Sequence, residues 1–219
     1  MGWIIELRSP SPTRAPYQIV TLDHEFKQGR IHLIGDETQA RFFNFEDILM
    51  ELLTVLLLSP RRGLLLHACA ASQEGTGWVF AGQSGAGKST MARLWREAPQ
   101  VNLLSDERVI LRQVQGEFRA YGTPWYSDAR AASPESARLE GIFLLRHGAQ
   151  NTARQLEPAE AVTRLLACSF PPYWDAQGME NALGFLGELC QSVPCYELGF
   201  LPQPEVVNYI REKQWTRCS

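Results

Sequence analysis

The chain has 219 residues, 45% of them hydrophobic and 21% charged, with a formal net charge of −3. That length suits one full hydrophobic core with a small accessory part and argues against two large domains. The slightly acidic balance, with no block of basic residues, excludes broad binding to nucleic acid or to an anionic membrane.

The N-terminus, Met1-Gly2-Trp3-Ile4-Ile5-Glu6-Leu7-Arg8, lacks the charged start and long apolar core of a secretory signal. Residues 1–40 mix short β-like runs, Tyr17 to Leu22 and Arg30 to Gly35, with Pro10, Pro12 and Pro16, and so predict a small sheet or flap. Asn44 is placed to cap a helix that opens with Glu46 and Asp47 and runs to about Leu58, where Ser59-Pro60 stops it. Apolar residues at 48, 49, 52, 53, 56 and 57 predict one wide buried face. The most apolar stretch, Leu52 to Leu58, is far short of the ~20 residues that span a bilayer.

Gly63 to Ala71 reads as a strand, and Gln73-Glu74-Gly75-Thr76-Gly77 as the turn that returns it to a second strand, Gly77 to Ala81. His67 lies on the first of these, either as a core histidine bonded to backbone or as a site residue. Directly after the second strand comes Gly82-Gln83-Ser84-Gly85-Ala86-Gly87-Lys88-Ser89-Thr90, with the glycine, lysine and hydroxyl spacing of a Walker A P-loop. Glycines let successive backbone N–H groups point inward at a polyphosphate, and the helix predicted from Lys88 to Arg96 adds unpaired N–H groups at its start. Lys88 would reach the β- and γ-phosphates and the Ser89 hydroxyl would ligate Mg²⁺. The nucleotide contacts are thus expected from Gly82, Ser84, Gly85, Ala86, Gly87, Lys88, Ser89 and Thr90, with Mg²⁺ beside the phosphates.

Pro99 breaks the helix, and Val101 to Asp106 predicts an apolar strand ending in a carboxylate, either to hold Mg²⁺ or to accept a proton from an attacking hydroxyl. Only 18 residues separate Lys88 from Asp106, which points away from the common P-loop NTPase architecture. Gln115-Gly116 signals a hairpin between Glu107 to Val114 and Glu117 to Gly122. Gly122-Thr123-Pro124-Trp125-Tyr126 is a rigid aromatic turn, lining a pocket or packing, and Ser133 to Arg138 reads as a polar loop. Arg130, before it, reads as solvated. Further on, Gly141 to His147 predicts a buried strand, Glu157 to about Cys168 a helix with proline in its first turn, and Gly178 to Gln191 another helix. Val193 to Phe200 reads as an edge strand because Pro194 cannot donate to a ladder, and a last helix starts at Pro204 or Glu205. The five cysteines, Cys69, Cys168, Cys190, Cys195 and Cys218, lack paired C-x-x-C spacing, so a reducing cytoplasm is expected, without a zinc site or a disulfide framework.

Taken together, Leu66-His67-Ala68, the Gly82 to Ser89 loop and Leu104-Ser105-Asp106-Glu107-Arg108-Val109 resemble the catalytic domain of HPr kinase/phosphorylase. The Gly122-Thr123-Pro124-Trp125 turn, the Ile142 to Leu145 strand and Leu156 to Ala161 are similar to its shorter serine-kinase relatives in particular. The resemblance implies an α/β fold like the nucleotide domain of phosphoenolpyruvate carboxykinase: a mixed sheet with a P-loop and flanking helices, here with a small N-terminal β-containing region. It divides the chain into residues 1–58 and a P-loop kinase-like domain, 59–219. It further implies ATP-dependent phosphotransfer to a serine hydroxyl of a small protein or peptide, and a possible homo-oligomer. Asp106 is the expected general base, with His67 assisting and Lys88 on the phosphates, while Ser89 with Asp106 or Glu107 holds Mg²⁺. The family's acid pair is Asp-Asp, so Glu107 is a departure, and no HPr-holding loop is recognisable. Two other readings are a nucleotide-sensing module without catalysis and a small-molecule kinase of the same fold.

Overall fold

The computed structural model describes residues 2–8, 16, 18–33, 48–61 and 63–212, which fall in two compact units, Met1–Leu57 and Leu58–Ser219. In the first, β1 (Trp3–Leu7), β2 (Gln18–Leu22) and β3 (Gly29–Leu33) form an antiparallel sheet in the order β1-β2-β3. Leu7, Val20 and Leu49 make its core, Leu49 coming from α1 (Ile48–Leu58). The expected face of that helix is only partly right, because Val55 is buried while Ile48 is 66% and Leu57 39% exposed. Asn44, Glu46, Asp47, Tyr17 and Cys218 lie outside the described residues.

The second unit is a mixed sheet with helices on both faces. It contains β4 (Gly63–Gln73), β5 (Thr76–Ala81), β6 (Asn102–Ser105), β7 (Arg108–Val114), β8 (Glu117–Tyr121), β9 (Ser136–His147), β10 (Thr152–Gln155) and β11 (Cys195–Phe200). The order is β10-β11-β9-β5-β4-β7-β8, with β6 on β4 and a further pairing of β8 with β9. Among the described strands only β5–β9 and β9–β11 are parallel. Both faces of the central strands are covered, so their sequences are nearly continuous apolar runs rather than alternating ones.

Alternate residues serve the two faces. Trp78 and Phe80 of β5 point to the layer holding α2 (Lys88–Glu97) and α5 (Glu205–Glu212), and Val79 and Ala81 to the layer holding α3 (Pro158–Leu166) and α4 (Ala176–Ser192). α2 buries Lys88, Met91, Ala92 and Trp95, one stripe at helical spacing. Trp95 packs tilted against Trp78 and Phe80, with ring centroids 5.0 and 5.4 Å away, and the aromatic layer runs on through Phe143 to Tyr196. This layer anchors the helix that follows the glycine-rich loop.

Two expectations change. β11 is an interior strand between β9 and β10, and Pro194 sits just before it, so its missing N–H costs the ladder nothing. β10, which occupies the edge instead, is too short and polar to announce itself. Ser136 to Arg138 are not loop: they open the long strand β9, whose first residues pair with both β5 and β8. The Gln115-Gly116 hairpin is as expected, with φ of 52° and 84°.

Candidate functional site at the strand ends

The parallel strands β5 and β9 end on the same side, and β4, running the other way, brings His67 to that side opposite the start of β7, where it pairs with Arg108. In open sheets of this kind, crevices form outside the carboxyl ends of parallel strands. Here the loop from Gly82 leaves β5 and enters α2 through Gly87 at φ 101°, with Gly85 at φ 81°. A side chain at 87 would meet backbone strain and also the Phe200 ring, 2.8 Å from its Cβ. No side chain caps α2, which leaves its first N–H groups directed at the crevice.

Lys88 folds back over its own loop, its Nζ donating to the carbonyls of Gly82 at 2.8 Å and Gln83 at 3.1 Å. Burial holds its pKa below the ordinary lysine value. His147 Nε2–H donates to the Gly85 carbonyl at 2.8 Å and so ties the loop crest to the end of β9.

The acids sit in the corner where β6 gives way to β7. Ser105, fully buried, shapes that corner, its Oγ accepting from the N–H groups of Glu107 and Arg108 at 3.4 and 3.3 Å and donating to the Trp125 carbonyl. Thr123 Oγ1 donates to the Arg108 carbonyl at 2.6 Å. The Gly122 to Trp125 turn therefore packs against the corner, with Trp125 buried and Tyr126 exposed. Asp106, 2% exposed, accepts three backbone N–H groups, from Ser127 and Ala131 on Oδ1 and from Ala129 on Oδ2 at 2.7 Å. Of its roughly four lone-pair positions, one on Oδ2 is left.

Glu107 projects beside His67 and Arg108. Arg108 Nη1–H donates to His67 Nδ1 at 2.8 Å and also to Glu107 Oε1, which is itself 3.3 Å from the imidazole nitrogen. Since Nδ1 accepts, the proton of a neutral ring lies on Nε2. Burial and the nearby Lys88 charge lower the His67 pKa, against the opposing pull of Glu107. Phe170 supports the Arg108 guanidinium at 4.5 Å.

A single cavity of about 420 Å³ gathers His67, Ser84, Gly85, Gly87, Lys88, Ser89, Thr90, Asp106, Glu107 and His147. Of the predicted nucleotide contacts, Gly82 and Ala86 instead line a neighbouring cavity of about 610 Å³. Arg130 is exposed. Cys69 is fully buried and its thiol pushed up to about 12 by burial, so it is a packing residue despite lying next to Lys88. Among the described residues no helix is long and apolar enough to cross a membrane.

Residues 36–199 match the family model described as SynChlorMet cassette protein ScmC. The chain belongs to the ScmC family. No curated protein matches it. Among solved structures, the Hpr(Ser) kinase/phosphatase from Coxiella burnetii is similar at 10% identity and a TM-score of 0.37, over 68% of this chain and 90% of that one. A likeness at that distance assigns no residue a role. Within this ScmC-family chain, His147 is the site residue that sequence reasoning passed over. Its signal was available: a histidine at the carboxyl end of a buried strand, where such sheets place their crevices.

Proposed function

We propose that this ScmC-family chain transfers the γ-phosphoryl group of ATP to a hydroxyl, with a serine of a small protein or peptide as the acceptor. The observation that carries the reading is the 420 Å³ cavity, in which Lys88 and the uncapped start of α2 face Glu107 and His67. One wall offers N–H groups and an amine to a polyphosphate. The other offers a partly exposed carboxylate and a neutral imidazole to an acceptor. The serine acceptor rests on the sequence resemblance alone.

In this reading Lys88 exchanges its two loop carbonyls for phosphate oxygens. Glu107, not Asp106, takes the acceptor proton, because Asp106 already serves three backbone N–H groups. The acceptor oxygen forms a bond to the γ-phosphorus, the bond to the bridging oxygen breaks, ADP leaves, and the proton ends on the carboxylate. The oxygen donors Ser89 Oγ and Asp106 Oδ2 suit Mg²⁺, which takes one or two carboxylates together with substrate phosphates. Bound there, the ion would supply charge neutralisation between the phosphates.

A nucleotide sensor without catalysis is the second reading, favoured by the engagement of both acids: Asp106 with backbone and Glu107 with Arg108. ³¹P NMR of the protein with Mg-ATP, alone and with size-fractionated extract of its source, separates the two. The proposal expects loss of the γ resonance and a new phosphoester signal in a peptide or protein fraction. A signal only in the small-molecule fraction would move the acceptor to a metabolite. Binding with no consumption of ATP in any fraction would leave the sensor.

A further inference from the structure

The 610 Å³ cavity is the larger of the two that meet at the loop crest, and phosphate chemistry does not explain it. Its walls are Leu144 and Leu145 at the end of β9 and Ala167 and Cys168 at the end of α3, with Gly82 to Ala86 as its floor. Ser84, Gly85 and His147 line both cavities, so a molecule lying in the phosphate cavity reaches the second one by crossing the crest. Its volume and mostly apolar lining, with a few polar atoms at its edge, are those of a small-molecule pocket.

At its rim two guanidinium groups are held in place. Arg146 donates to Glu197 at 3.0 Å and Arg164 donates to the other oxygen of Glu197 at 2.7 Å. Glu160 pairs in turn with Arg164 and with Arg154. Three arginines against two glutamates leave this rim cationic. Burial raises the Glu197 pKa, but the Arg164 hydrogen bond and the surrounding cations outweigh it and keep the group ionised at neutral pH. Planar cations fixed in this way can stack on a heteroaromatic ring or bond to ribose hydroxyls without further ordering.

Among the described residues, a recess of about 250 Å³ that shares Ser89 and Thr90 with the phosphate cavity is lined further by Arg93, Arg96, Asp128 and Ala129. It lies below the volume usual for ligand pockets, whereas the 610 Å³ cavity falls within it. We infer that the cavity between Leu144–His147 and Thr163–Cys168 receives the base and ribose of a nucleoside triphosphate whose phosphates lie on the glycine-rich loop. The inference rests on the phosphotransfer reading for its phosphate end and adds the site and orientation of the nucleoside. The triphosphate then runs over Gly85 with its terminal phosphate towards Glu107 and His67.

The test compares Mg-ATP with Mg-tripolyphosphate by calorimetry on the full chain and on Ala167→Trp, a substitution at an exposed helix end that fills the pocket. Wild type is expected to prefer ATP by about tenfold or more, the worth of one well-buried ring. In Ala167→Trp that preference disappears while tripolyphosphate binding is kept. Equal affinities in wild type, or a preference that survives Ala167→Trp, overturn the nucleoside site and leave the phosphate site standing. Failure of tripolyphosphate to bind wild type overturns the phosphotransfer reading and this inference with it. Photolabelling of the unmodified chain with 8-azido-ATP does not depend on a variant's folding. Label on residues 144–147 or 163–168 is the expected result, and label confined to 93–96 or 128–129 overturns the inference.

Discussion

The two walls of the phosphate cavity are built in opposite ways. One is continuous in sequence: β5, the glycine-rich loop and α2 follow each other over Thr76–Glu97. The other is assembled from His67 on β4, the Asp106–Glu107 corner, the backbone of 127–131 and the Phe170 ring under Arg108. A contiguous wall holds its geometry through local turns and a helix dipole, whereas an assembled wall depends on tertiary hydrogen bonds. On the phosphotransfer reading, the difference means that binding and chemistry rest on separable parts, which substitutions can pull apart.

The largest effect is expected at Glu107→Gln, which keeps the shape of the assembled wall and removes its cavity-facing negative charge. Phosphotransfer should fall by about 10²–10⁴-fold, the range for loss of a general base, in a γ-phosphate transfer assay. Asp106→Ala tests the assembly itself, since it strands three N–H groups, two of them in bonds that are fully buried. A loss of roughly 2–4 kcal/mol in urea unfolding is expected, and an unchanged midpoint would show that loop 127–131 does not depend on the acid. Lys88→Ala strikes the contiguous wall, and titration with Mg-ATP should show affinity weakened by about 10–100-fold through loss of a charged hydrogen-bond donor. The smallest effect is the pH dependence carried by His67. Its folded-state pKa is lowered by burial from 6.5, so below that pH the unfolded chain takes up a proton that the folded chain refuses. Wild type should therefore lose stability relative to His67→Gln as pH falls below about 6.5, with no such divergence above it. Thermal melts between about pH 5 and 8 would read the slope, and parallel curves would show that the imidazole is not desolvated.

The same contrast governs what could be read from the sequence. The β5–loop–α2 unit, the Glu74-Gly75 and Gln115-Gly116 turns and the helices α3 to α5 announce themselves through glycines, prolines and helical spacing, all local signals. Asp106 and Glu107 were visible as candidates, but which one serves backbone and which faces the cavity was not. That division is made by the N–H groups of residues 21 to 25 positions later, and no local pattern records them. β11 misled because Pro194 looks the same before an interior strand as within an edge strand. Ser136 to Arg138 misled because a strand paired on both sides by backbone need not be apolar at its solvent end.

Calorimetric titration of Mg-ATP into wild type, Lys88→Ala and Glu107→Gln, side by side, tests most directly whether holding the nucleotide and transferring its phosphate are separable. The account predicts that Lys88→Ala weakens binding at least about tenfold while Glu107→Gln stays within about threefold of wild type. A Glu107→Gln chain that loses the nucleotide as completely as Lys88→Ala, or a Lys88→Ala chain that binds like wild type, would contradict it.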